Sequence, residues 1–134
     1  MNKTTRDNLA TAMRSEAFTY AKYMLFAERA RETGNPELAQ LLEKTGKQEL
    51  LEHFAEEAAL AEIVRGDVDN LEDAIESESY GIESMYRDFA KQAFSAGDKA
   101  AGNLFEEIRH DEMNHRDAFK EALSKLAKKP LRAW

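Results

Sequence analysis

Residues 104–119 read LFEEIRHDEMNHRDAF, and their period is helical. Steps of three and four residues pick out Leu104, Ile108, Glu112, His115, Phe119 and Ala122 as one stripe. A helix that packs against others buries such a stripe, and apolar side chains should fill it. Here a carboxylate and an imidazole, spaced Glu-x-x-His, stand at its centre.

The rest of the chain repeats the fault. Between residues 5 and 33 the stripe is Leu9, Met13, Glu16, Tyr20, Tyr23 and Ala27; between 70 and 96 it is Leu71, Ile75, Glu78, Ile82, Met85 and Phe89. Between 36 and 65 it is Leu38, Leu42, Thr45, Glu49, Leu60 and Ile63. Four helical segments therefore each turn one glutamate inward near the middle. Punctuation separates them: Thr33-Gly34 stops the first, Asn35-Pro36 caps and opens the second, RGDVDN at 65–70 breaks it, and Gly97-Asp98 leads into the fourth. Thr4 with Asp7, and Asp69 with Glu72, read as capping pairs for the first and third. The last helix fades before Pro130. No segment alternates with period two, so the chain is expected to be all-α, one domain over 1–134, with helices at about 5–33, 36–65, 70–96 and 98–127. Segments one and two, and three and four, each form a helical hairpin with acids at mid-helix.

Burying a lone carboxylate costs several kcal/mol, and four at matched height repel one another unless cations or protons neutralise them. A pair of divalent metal ions meets that need, and oxygen with imidazole nitrogen suits iron or manganese. One Glu from each of two helices plus Glu-x-x-His from each of the other two is a known donor set for two metals in a four-helix bundle. Glu112 and His115 match it. In the second helix, ELLEHF at 49–54 offers two candidates beside Glu49. At about 100° per residue Glu52 lies about 60° to one side of Glu49 and His53 about 40° to the other, so an α-helix admits either. A local π-bulge would bring one of them into place.

Composition narrows the setting. With no cysteine there is no disulfide, thiolate metal site or thiol nucleophile, so any metal must be held by Glu, Asp and His. A net charge of −7 argues against a nucleic-acid surface, although the tail KLAKKPLRAW is basic and reads as a solvated helix end. No run of about 18 apolar residues could span a bilayer, and MNKTTRDNLA lacks the apolar core of a secretory signal. A cytoplasmic protein that binds neither nucleic acid nor membrane is expected.

Three segments carry a family resemblance over almost the whole chain: RSEAFTYAKYMLFAERARETGNPELAQLLEKTG around Glu16, NLEDAIESESYGIESMYRDFAKQA around Glu78, and LFEEIRHDEMNHRDAF around Glu112 and His115. In these the sequence resembles the four-helix, iron-binding domain of rubrerythrin-type ferritin-like proteins, in a short form without the four-cysteine rubredoxin domain. The resemblance implies a ferritin-like bundle and a di-iron centre, with manganese or mixed occupancy as alternatives. It also implies reduction of hydrogen peroxide, with electrons from an external rubredoxin-like or flavin reductase; ferrous oxidation by dioxygen or peroxide is the related alternative. A helical metal-binding or interaction module without catalysis is the remaining reading. The implied ligands are Glu16, Glu49, Glu78, Glu112 and His115, with Glu52 or His53 completing the set. Glu49 and Glu112 would bridge, while Glu16 and Glu78 would be terminal. The sequence departs from the family in two places. The histidine expected three residues after Glu49 is Glu52, and the extra carboxylate expected three residues after Glu78 is Gly81.

Ferritin-like bundles need a long crossover between their second and third helices. A linker of four or five residues reaches about 13–18 Å, whereas a helix of 25 residues is about 37 Å long. A homodimer that swaps hairpins would remove the conflict, each site taking Glu16 and Glu49 from one chain and Glu78, Glu112 and His115 from the other.

Overall fold

In the computed structural model, which describes residues 1–128, Asn2 opens the first helix: its side-chain oxygen accepts a hydrogen bond from the Thr5 amide at 2.9 Å. The cap is thus Asn2 and not Thr4, and α1 spans Lys3–Glu32. Gly34, at φ +78°, takes the left-handed turn that a side chain would resist, and Pro36 then starts α2 (Pro36–Gln48) behind Asn35. This second rod continues through a π-helical segment, Glu49–Phe54, into α3 (Ala55–Leu60). It ends at Leu60, ahead of the expected stop near 65, where Glu62 turns left-handed at φ +54°. The Asn70 side chain bonds both the amide and the carbonyl of Arg65, at 2.8 and 2.9 Å, so the third rod starts early, at Asp67. It comprises α4 (Asp67–Tyr80), a second π segment, Gly81–Met85, and α5 (Tyr86–Ala96). Gly97, at φ +84°, closes it, and α6 runs over Lys99–Ala127. The all-α class expected from the sequence is the class observed, with no strand among the described residues. The tail beyond residue 128, including Pro130, lies outside the described residues.

The described residues divide into two compact units, which part between Val64 and Arg65. Each is a helical hairpin. In the first, Ala27, Ala30 and Ala39 are buried against one another with Leu42, and Arg31 pairs with Glu43 between α1 and α2. Gly46 permits the close approach of these helices: a Cβ there would lie 3.3 Å from Tyr23 Cβ and 2.8 Å from Met24 Cε. In the second unit Ile82 and Ala90 are buried, and the Phe105 ring packs against Tyr86 and Phe89 at centroid distances of 6.1 and 5.8 Å.

Among the described residues the buried apolar side chains are alanines and one isoleucine, and no large side chain is fully buried. Leu9, Met13, Tyr20, Tyr23, Leu71, Ile75 and Ile108 stay half-buried along the expected stripes. Two helices cannot close a core, since an apolar stripe must be covered by a further element. Each hairpin therefore keeps an apolar face of its own.

The π segments also move the stripes. A turn closed five residues back instead of four inserts one residue, and every later position shifts by one. Phe89, expected to face inward, is 43% exposed, whereas Ala90 is fully buried. In the second rod Glu56 is exposed and Glu57 turns inward.

Candidate metal centre

In the first hairpin Glu16 comes from the middle of α1, and Glu49 and His53 come from the π segment. One ligand atom of each lies within 4.8 Å of the others. His53 Nδ1 is 2.7 Å from Glu49 Oε2 and 3.9 Å from Glu16 Oε2. The widened turn explains why His53 is the partner. Ala55 bonds the Leu50 carbonyl five residues back, so four residues come close to a full turn and stack His53 on Glu49. Glu52 turns away into solvent, where it accepts a hydrogen bond from the Gln48 amide at 3.1 Å.

Glu16 and Glu49 converge closely enough to perturb each other's titration. Glu16 is held above the usual carboxyl range, first by its hydrogen bond to Glu49, then by burial and by the Glu49 charge. Glu49 is held below it, because it accepts from Glu16 and then from His53. A proton in this pair is therefore favoured on Glu16 over Glu49. His53 is raised above the ordinary imidazole value, mainly by its hydrogen bond to Glu49, against the effect of burial.

These shifts give the metal-free and metal-bound chains opposite pH responses. In the metal-free chain protonated His53 stabilises the hairpin fully below about pH 6.5, and the contribution is lost as pH rises through the raised folded-state value. Metal uptake runs the other way, because only neutral imidazole coordinates and each bound ion displaces protons. Cobaltous titrations over a pH series are expected to show affinity at this cluster falling with a midpoint above about pH 6.5. A midpoint at or below that value would mean that Glu49 does not hold the His53 proton.

In the second hairpin Glu78 comes from α4, and Glu112 and His115 come from α6, again with one ligand atom each within 4.8 Å of the others. Here an ordinary α-helix suffices, since Glu112 and His115 are three residues apart. His115 Nδ1 is 3.6 Å from Glu78 Oε1. The other Glu78 oxygen is shielded from solvent and has no hydrogen-bond partner, which a bound cation would supply. Both clusters therefore offer oxygen and imidazole nitrogen only, a donor chemistry suited to iron or manganese. Gly81 stands beside this cluster: a Cβ there would lie 3.5 Å from Glu112 Oε2 and 3.4 Å from the Tyr86 ring. Tyr86 leans into the space that a side chain at 81 would take, and Glu83 is exposed.

Two residues escaped the sequence reading. Glu57 is half-buried with one oxygen shielded and unpartnered, and its charge helps to raise Glu16. Its signal is a position one turn beyond His53, visible only once the π turn is known. Arg109 is the other: its Nε donates to the Ile82 carbonyl at 2.6 Å, across from α6 to the second π segment. It precedes Glu112 by three residues, so it shares one side of the helix with the ligand. His110 is exposed, as its position on the far side of α6 implies.

Comparison with known proteins gives a consistent result. A family model described as rubrerythrin matches residues 7–123. Nigerythrin of Nitratidesulfovibrio vulgaris is 30% identical over an alignment of 129 residues, covering 86% of this chain and 63% of nigerythrin. The chain thus spans less than two-thirds of that relative's length. The solved structure of nigerythrin in its fully reduced, all-ferrous state is 27% identical, covering 97% of this chain and 71% of that one, with a TM-score of 0.48. Its partially reduced state gives a TM-score of 0.49 at the same identity. Among the described residues no helix is long and apolar enough to cross a membrane.

Proposed function

The chain belongs to the rubrerythrin family, and on that premise we propose that it is a non-haem di-iron oxidoreductase that reduces hydrogen peroxide with electrons from an external donor. The observation that carries this reading is the pair of matched clusters, Glu16–Glu49–His53 and Glu78–Glu112–His115. Six groups of these types would hold two metal ions, and the resemblance implies bridging roles for Glu49 and Glu112 and terminal ones for Glu16, Glu78, His53 and His115. A pair of ferrous ions held there would supply the two electrons that reduction of peroxide requires.

The side chains do the remaining work. The four carboxylates neutralise the cations, and the surrounding stripes limit the access of water. Glu16, whose carboxyl the hydrogen bond to Glu49 holds above the usual range, would release any proton it holds when a cation binds. Reducing peroxide to two waters consumes two electrons and two protons. Electrons would return to the site from a rubredoxin-like protein or a flavin reductase.

We propose further that the working unit is a homodimer with exchanged hairpins. The linker, residues 61–66, reaches about 20 Å, while the 25-residue rod it follows is about 37 Å long. Each hairpin also keeps an apolar face that a second hairpin would cover.

Anaerobic ferrous titration followed by rapid mixing with peroxide, then dioxygen, tests the reading. Two irons per pair of clusters and fast oxidation by peroxide, repeated over many turnovers with added reductant, are the expected results. Fast oxidation by dioxygen, with iron as the consumed substrate, would move the assignment to ferroxidase. No stoichiometric uptake of iron or manganese would remove it.

A further inference from the structure

We infer that Arg109 is a positioning residue that fastens the second π segment to α6 and so sets the spacing of Glu78 against Glu112 and His115. The inference rests on the reading of those three as half of a metal centre, but its geometry stands apart from it. The Tyr86 amide reaches back five residues to the Gly81 carbonyl. In an α-helix that amide would serve the Ile82 carbonyl, which is left without its regular partner. Ile82 is 3% exposed, so water is poorly placed to compensate. Arg109 Nε takes the position at 2.6 Å. Its Nη1 lies 3.6 Å from Glu106, which steadies the guanidinium from the same helix.

The clamp joins two ligand-bearing elements close to their ligands. Ile82 follows Glu78 by four residues, and Arg109 precedes Glu112 by three, about one helical turn in each case. The first hairpin has no equivalent need. The carbonyl displaced there belongs to Leu51, which is 67% exposed and open to water. Both widened turns thus have an answer for their spare carbonyl, solvent in one and a cation from the facing helix in the other.

A charge effect and a clamp predict opposite signs. Removing a cation near two carboxylates strengthens their hold on a divalent ion if charge alone matters. Releasing the clamp weakens it, by the roughly 10–100-fold typical of lost outer partners of metal ligands. The experiment uses the full chain, with Arg109→Met, Arg109→Lys and wild type compared in two measurements. Amide hydrogen exchange of the metal-free protein is expected to quicken over residues 82–88 in Arg109→Met and to recover in Arg109→Lys, which keeps a donor at similar reach. Cobaltous titration is expected to show binding at Glu78–Glu112–His115 at least about tenfold weaker in Arg109→Met, with a changed visible spectrum, and again recovered by lysine. If the methionine variant does not fold, Arg109→Gln, neutral with a shorter donor, carries the same comparison. Unchanged exchange, or cobalt bound as tightly or more tightly, would overturn the clamp. A wild-type chain that takes up no cobalt would instead remove the metal reading, and the site role of Arg109 with it.

Discussion

A chain carrying Glu16→Ala and Glu49→Ala, refolded together with one carrying Glu78→Ala and Glu112→Ala, is expected to regain dinuclear metal binding that neither regains alone. In a hairpin-exchanged dimer each site combines the first hairpin of one chain with the second hairpin of the other. A mixed dimer then holds one site made wholly of intact hairpins and one made wholly of altered ones. With random pairing about half of the dimers are mixed, so about a quarter of wild-type uptake returns. If both halves of a site come from the same chain, recovery is nil, and that result would end the exchange model. The variants should fold, because the four glutamates are half-buried and lie outside the buried apolar residues that hold each hairpin together. The physical basis is the short linker, residues 61–66, together with hairpins whose fully buried side chains are almost all alanines.

The second large effect concerns ELLEHF. His53→Ala is expected to weaken ferrous binding at the first cluster by at least about 100-fold, beyond the range typical of outer partners. Glu52→Ala should leave it unchanged, because Glu52 bonds Gln48 in solvent while His53 lies 2.7 Å from Glu49. Anaerobic calorimetric titration of the two variants checks this. The reverse order would mean that Glu52, and not His53, supplies the second ligand of this helix.

Much of this was legible in the sequence because it is local. The inward glutamates follow from helical period, and the turns at Gly34 and Gly97 from residues that tolerate positive φ. The misplacements are local as well. The first helix is capped by Asn2 and not Thr4, since both are competent caps and the chain needs only one. The second rod stops at Leu60 with a left-handed turn at Glu62, and the third starts at Asp67 because Asn70 holds Arg65 in the linker, a contact that no periodic pattern announces.

The sequence by itself determined the helices and the placing of one glutamate at the middle of each, since period and punctuation are properties of neighbouring residues. It left Glu52 and His53 equivalent, because a fixed 100° step puts both beside Glu49. Only the tertiary structure separated their positions, stacking His53 on Glu49 and turning Glu52 to Gln48. The choice turns on whether an amide reaches back four residues or five, and a widened turn persists only where its spare carbonyl finds solvent or a donor from a facing helix, as Ile82 finds Arg109.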